Sequence, residues 1–157
     1  MIIQFEEYLT LKNIYYAANF GILPFWLLLI IIPNSRITQI FVNSIVVPLI
    51  LSTAFVYLIY QAILLEVSFL NIFELYLSID NLYTIFSTEI FLLAFWLIFL
   101  SLSLFLGSWV SRDALKYGIS KKLVALPLVL IYFSGPLGLL LYWSFRIFYA
   151  KKLGLHD

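Results

Sequence analysis

The chain has 157 residues, of which 64% are hydrophobic and only 11% charged, with nine basic against eight acidic side chains. A soluble domain is about a quarter charged, so this composition excludes a water-facing globular surface, and the near-zero balance offers nucleic acid no basic footprint. There is no cysteine and a single histidine, His156. Disulfides, thiolate nucleophiles and Cys-ligated metals are thereby excluded; no metal site and no cofactor are expected, and an imidazole base would have to come from another chain.

Four long gaps separate the charged residues: 23 residues from Asn13 to Ser35, 29 from Ile37 to Leu65, 22 from Ile90 to Ser111 and 23 from Leu123 to Phe145. A bilayer core about 30 Å thick takes roughly 20 apolar residues of helix. The expected fold is therefore all-α: a polytopic membrane protein, one domain over residues 1–157, with four transmembrane helices and an amphipathic connection between spans two and three. The lead-in MIIQFEEYLTLK has Glu6 and Glu7 where a signal peptide is basic, and no small-residue cleavage site follows, so the first run reads as a span.

Span one covers residues 14–32, with Asn19 and Pro24 inside it and Pro33 at its end. A lone Asn in hydrocarbon needs a partner, so Asn19 is expected to face another helix. Span two covers 41–65, with Pro48 near its start and Tyr57, Tyr60 and Gln61 toward an interfacial end. From Glu66 to Glu89 the chain carries Glu66, Glu74, Asp80 and Glu89 and no basic residue. Glu66, Asn71, Glu74, Ser78 and Asn81 share one face of a helix there, opposite Phe69, Leu70, Phe73 and Leu77, which gives a surface-lying amphipathic segment.

Span three, residues 90–110, is followed by the basic stretch SRDALKYGISKK. Ser103, Gly107 and Ser111 recur every four residues, a small-residue stripe expected to meet another helix, the one holding Gly135 and Gly138. Span four, residues 123–148, extends to Ala150 at its longest, 28 residues or about 42 Å of straight helix. Arg146 is expected to snorkel to the interface. The stretch YFSGPLG predicts a bend at Gly135–Pro136 that frees the carbonyl of Tyr132, with Ser134 or a neighbouring helix to satisfy it. A packing kink and a lipid-excluded joint that helps to hold a ligand are both open readings of that break.

With four spans the two sides carry four and five basic residues, which does not orient the chain. Across span three alone the contrast is zero against four, and it places Arg112 to Lys122 in the cytoplasm.

Three stretches carry a family resemblance: YYAANFGILPFWLLLIIIPNSRIT, FWLIFLSLSLFLGSWVSRDALKYGI and LPLVLIYFSGPLGLLLYWSFR, with Trp96, Gly107, Trp109 and Asp113 in register. Over about residues 14–146 the chain resembles the abscisic-acid-deficient-four-like family, integral membrane proteins whose plant members are required for making the xanthophyll neoxanthin. Where that family typically carries a His, an Asp and an Arg, this chain has Ile98, Ser103 and Ser108.

The resemblance implies a protein of a plasma, inner or thylakoid-type membrane that binds or acts on a carotenoid or similar apolar isoprenoid. Opening an epoxide with proton removal from a polyene needs an acid and a base in an apolar cleft, and Asp113, Glu89 and Glu66 are the candidates. Asp113 also reads as a surface ion pair with Arg112 or Lys116. The ligand cleft is expected among Trp96, Ser103, Phe105, Gly107, Tyr132, Gly135, Pro136 and Gly138, with Trp96, Phe105 and Tyr132 lining it. The alternative is a non-enzymatic packing or assembly subunit with membrane lipid and a helix-packing protein as partners. A transporter is disfavoured, since no intramembrane charge or internal repeat marks a pathway.

Overall fold

The structure is a computed structural model that describes residues 10–43, 46–64, 73 and 76–150. Seven helices follow in order among these: α1 Leu11–Ile31, α2 Arg36–Phe41, α3 Val46–Leu64, α4 Ile79–Phe86, α5 Glu89–Lys116, α6 Lys121–Ser134 and α7 Pro136–Ala150. Three helical runs are long and apolar enough to cross a bilayer: Leu11–Ile31, Arg36–Leu64 and Glu89–Lys116. The protein is an all-α membrane-spanning protein.

Its exterior is unlike that of a soluble domain. Phe20, Val56, Leu102, Phe133 and Leu140 are each more than 60% exposed, while Ser103, Ser108, Ser111 and Arg146 are buried. Covering such an apolar exterior with water would cost about 25 cal/mol for every Å². Only hydrocarbon makes this arrangement stable.

The chain divides into two compact units, Met1–Gly21 with Leu49–Phe99, and Ile22–Pro48 with Leu100–Asp157. In the first, the half-buried Asn19 finds partners through both ends of its amide. Its Nδ2 donates to the Tyr15 carbonyl of its own helix at 2.8 Å, and its Oδ1 accepts from Trp96 Nε1 of α5 at 3.2 Å. The Trp96 ring is thereby fixed between Tyr15 and Phe99. Toward the end of α3, Gln61 Nε2 donates to the Tyr57 hydroxyl at 2.9 Å. In the acidic connection, α4 is N-capped by Ser78, whose Oγ accepts from the Asn81 N–H, and it has no buried residue. Glu66, Asn71 and Glu74, with Phe69 and Leu70, lie outside the described residues, as does His156.

In the second unit, α1 ends in the turn before Pro33. Ser35 caps α2, and the Thr38 hydroxyl donates back to the Ile32 carbonyl at 2.8 Å. Phe41 closes the short α2, and the apolar run Arg36–Leu64 takes in both α2 and α3. Helix α5 does not stop at Val110: it runs to Lys116, and so places Asp113 on a helix. It ends in a Schellman turn, Ile119 N–H to Ala114 O and Gly118 N–H to Leu115 O, with Gly118 at φ +66°. Glycine adopts that left-handed geometry without steric cost.

The expected fourth span is two helices of 14 and 15 residues, each only about 21–22 Å long. Gly135 is the single residue between them, at φ +48°, and its N–H caps α6 on the Ile131 carbonyl. Pro136 opens α7, the position where a missing N–H costs nothing. Gly138 lies on the backbone of α6: a Cβ there would stand 2.5 Å from the Pro127 carbonyl oxygen. Residues eleven apart on a straight helix are about 16 Å apart, so the chain has folded back rather than bent. The Ser134 hydroxyl, expected to serve Tyr132, donates instead to the Leu130 carbonyl.

In the small-residue stripe of α5, Gly107 meets α1, and Ser111 shares a cavity with Leu29 of α1 and with Val124 and Leu128 of α6. A Cβ on Gly107 would stand 2.7 Å from Trp26 Cη2, with Leu29 beside it; Trp26 in turn takes the edge of Tyr132 at 5.5 Å. Gly107→Leu is therefore expected to lower stability by about 1–3 kcal/mol through displacement of the indole. Thermal unfolding in detergent measures this; an unchanged midpoint would show that the stripe does not pack as described.

Candidate functional site

An ionisable residue buried in a membrane protein is the first place to look for function. Here that residue is Arg146, fully buried on α7. Arginine stays charged in any protein interior, so its burial requires an anion. Asp113 of α5 supplies it: Nε of Arg146 donates to Oδ2 at 2.8 Å. The same carboxylate oxygen accepts from the Tyr142 hydroxyl at 2.5 Å. Arg146 Nη2 donates to the Tyr117 hydroxyl at 3.3 Å, and the guanidinium lies 4.9 Å and 5.0 Å from the Tyr117 and Trp143 ring centroids. Trp109 closes the group with its edge on Tyr142.

The elements explain the convergence. Asp113 and Tyr117 are four apart at the end of α5, and Tyr142 and Arg146 are four apart on α7, so each pair shares one helix face. The return of α7 after Gly135 brings the two faces together. Arg146 does not snorkel, and the partner of Asp113 is neither Arg112 nor Lys116. Sequence reasoning missed Arg146, Tyr142 and Tyr117. The readable signal was their spacing: two i, i+4 polar pairs, each closing an apolar run. Arg146 Nη1 is buried without a hydrogen-bond partner among the described residues.

A second constellation lies at the start of α5. Glu89, Leu92, Leu93 and Trp96 of one α5 face, with Leu11 and Tyr15 of α1, line a cavity of about 300 Å³. Its walls are apolar and aromatic except for the Glu89 carboxylate. Two residues singled out from sequence for different reasons, Trp96 and Glu89, therefore share one cavity.

The other sequence candidates have separate surroundings. Phe105 lines a different cavity, beside Ser108 and Asn43, and the Tyr132 ring packs on Trp26 and Phe133. Ser103 is buried in the α5 stripe, Gly107 receives Trp26, and Gly135, Pro136 and Gly138 form the α6–α7 turn. Ile98 is exposed, and Ser108 donates to Asn43 Oδ1 at 2.8 Å. Glu66 lies outside the described residues. Among the described residues no group of three His, Cys, Asp or Glu side chains is placed to hold a metal.

Removing one member of the buried pair strands the other. Arg146→Met is expected to cost about 3–5 kcal/mol, whereas the triple change Asp113→Leu, Tyr142→Phe, Arg146→Met should recover most of that loss, because no charge or hydroxyl is then left unpaired. Thermal unfolding of both variants in detergent decides it; equal losses would mean that the pair is not the stabilising element.

Residues 13–142 match the family described as ABA DEFICIENT 4-like, a stretch that includes Asp113, Tyr117 and Tyr142 and stops just short of Arg146. No curated protein and no solved structure matches the chain. With well over half of its residues covered, this multi-pass helical membrane protein belongs to the ABA DEFICIENT 4-like family.

Proposed function

We propose that the protein binds a carotenoid or a similar apolar isoprenoid, with one end group of the ligand in the cavity formed by Trp96, Tyr15 and Glu89. The observation that carries this is the composition of that cavity: flat aromatic and leucine walls with one carboxylate. Binding to such walls depends on buried area and shape. Membership in the ABA DEFICIENT 4-like family, whose plant members serve xanthophyll formation, supports the same reading.

At about 300 Å³ the cavity stands at the small end of ligand pockets. It suits a ring or chain terminus, with the rest of a long polyene lying along the exposed apolar surface in lipid. The Asn19 hydrogen bond holds the Trp96 plane in place, so less ordering remains to be done on binding. Glu89 would accept a hydrogen bond from a hydroxyl on the end group. Epoxide opening needs an acid and a base together; Glu89 is the one carboxylate among the described lining residues, and the Asp113 carboxylate is engaged by Tyr142 and Arg146. The proposal is accordingly one of binding.

We infer further that the membrane disposition is three crossings followed by α6–α7 as a re-entrant hairpin. Half-helices too short to cross, folded on each other by Gly135 and Gly138 and returned to the end of α5 by the Asp113–Arg146 pair, support it. Counted this way, Lys12 alone stands on one side. Arg36, Arg112, Lys116, Lys121, Lys122 and Arg146 stand on the other, which is then cytoplasmic. The amphipathic α4 lies on the side of Lys12.

Two measurements test these readings. Incubation of the purified protein with a carotenoid panel, then repurification and a visible spectrum, should show retained pigment; Leu92→Trp, which fills the cavity and spares the Asn19–Trp96 bond, should lose it while unfolding at nearly the parent temperature. If the parent retains none, the binding proposal fails. The chain has no native cysteine, so single substitutions report membrane side directly. Lys122→Cys and Tyr149→Cys should be labelled from the same side and Lys12→Cys from the other. Labelling of Tyr149→Cys with Lys12→Cys would restore a fourth crossing.

A further inference from the structure

A larger cavity, about 470 Å³, runs along the second half of α5. Four of its residues, Ser101, Phe105, Ser108 and Arg112, are spaced i, i+4, i+7 and i+11, one continuous helix face. Asn43 and Pro48 form part of the opposite wall. The face changes character along its length. Phe105 makes it apolar beside Ser101, with exposed Leu102 at the rim; Ser108 and Asn43 make it polar; Arg112 makes it cationic.

That gradient matches the depth of one leaflet. Ser101 stands near the middle of the 28-residue α5 and Arg112 four residues from its end. The distance between them is about 16 Å along the axis, half of a hydrocarbon core of about 30 Å. Arg112 is exposed and has no ion-pair partner among the described residues. Its neighbour Asp113 does not compete, because that carboxylate is held by Tyr142 and Arg146. Asn43 accepts from Ser108 through Oδ1, and its Nδ2 is a donor group on a residue that lines the same cavity as Arg112.

We propose that this groove is a binding site for an anionic phospholipid, with the headgroup phosphate on Arg112 and Asn43 and one acyl chain along Phe105, Leu102 and Pro48. A guanidinium is suited to phosphate by its fork of donors. Among the described residues no carboxylate lines the groove to receive a choline or ethanolamine cation, which favours a head of net negative charge over a zwitterionic one. The site does not depend on the isoprenoid reading: it is a different cavity, built from other residues.

The test is lipid binding by the purified full chain in detergent, followed by native mass spectrometry, with phosphatidylglycerol and phosphatidylcholine of equal chain length. Phosphatidylglycerol should bind in preference, one molecule tightly. Arg112→Gln should weaken it about tenfold or more, the loss expected for one charge-assisted contact. Lys122→Gln, which removes a charge of the same basic segment, should leave it unchanged. Ser101→Trp, which fills the groove, should block it, and the melting temperature of both groove variants should stay near that of the parent.

Equal binding of the two lipids, or equal loss in Arg112→Gln and Lys122→Gln, would overturn the site, since bulk attraction would then suffice. Displacement by inorganic phosphate alone would make it a free-anion site, and displacement by an equimolar prenyl diphosphate would assign it to isoprenoid diphosphates; either result overturns the phospholipid assignment.

Discussion

A charge that cannot be hydrated must carry its counter-charge with it, and Arg146 imposes that condition on the second half of this protein. Its guanidinium is fully buried and meets the Asp113 carboxylate, with Tyr142 and Tyr117 completing the polar group. Asp113 sits at the end of α5, so α7 has to finish there as well. That in turn requires the chain after α6 to reverse within one residue, and it is glycine at φ +48° that permits it. The ion pair and the turn are two parts of one device. Such a pair is weak evidence for net stability, since desolvation offsets most of the attraction; its consequence here is register, as it fixes which end of α7 lies beside which end of α5.

Hydrocarbon surroundings explain what else is inside. Apolar side chains gain nothing by leaving lipid for a protein interior, so the contacts that hold the helices are close backbone approach, aromatic wedges and polar pairs. Each occurs here within one compact unit or the other. Trp26 fills the space over Gly107, Gly138 lies on the α6 backbone, Asn19 orients Trp96, and Ser108 reaches Asn43. The indole N–H of Trp26 is left without a partner among the described residues, a cost of wedging so large a ring against a glycine. Large apolar side chains such as Phe20, Leu102, Phe133 and Leu140 can therefore face outward without penalty.

Much of this was legible in the residues. Gaps between charges located the three long apolar runs, a lone Asn in an apolar helix marked an interhelical contact, and Gly135–Pro136 marked a break. What the sequence could not convey was the size of that break. Pro136 reads as a kink when it is assumed to interrupt one helix, and as a helix start when the residue before it has positive φ; the two differ only in the backbone angle of Gly135. From that ambiguity the other differences descend. A straight fourth helix sends Arg146 toward water and leaves Gly107 to pair with Gly138. A reversed one buries Arg146, gives Gly138 to α6 and Gly107 to Trp26. Asp113 changed meaning for the same reason, since its nearest cations in sequence, Arg112 and Lys116, are not its partner in space.

The reversal also changes what the basic residues say. Under four crossings the described cations divide two against five; under a re-entrant hairpin they divide one against six. The second division is the sharper of the two, and membrane insertion favours a clear bias. The acidic connection agrees with it. Residues 65–88 carry no lysine or arginine, which suits a segment that has to be moved across, whereas Arg112, Lys116, Lys121 and Lys122 follow α5 at the end that would stay behind. Fold, charge bias and the buried pair thus rest on the same backbone feature, a glycine placed one residue before a proline.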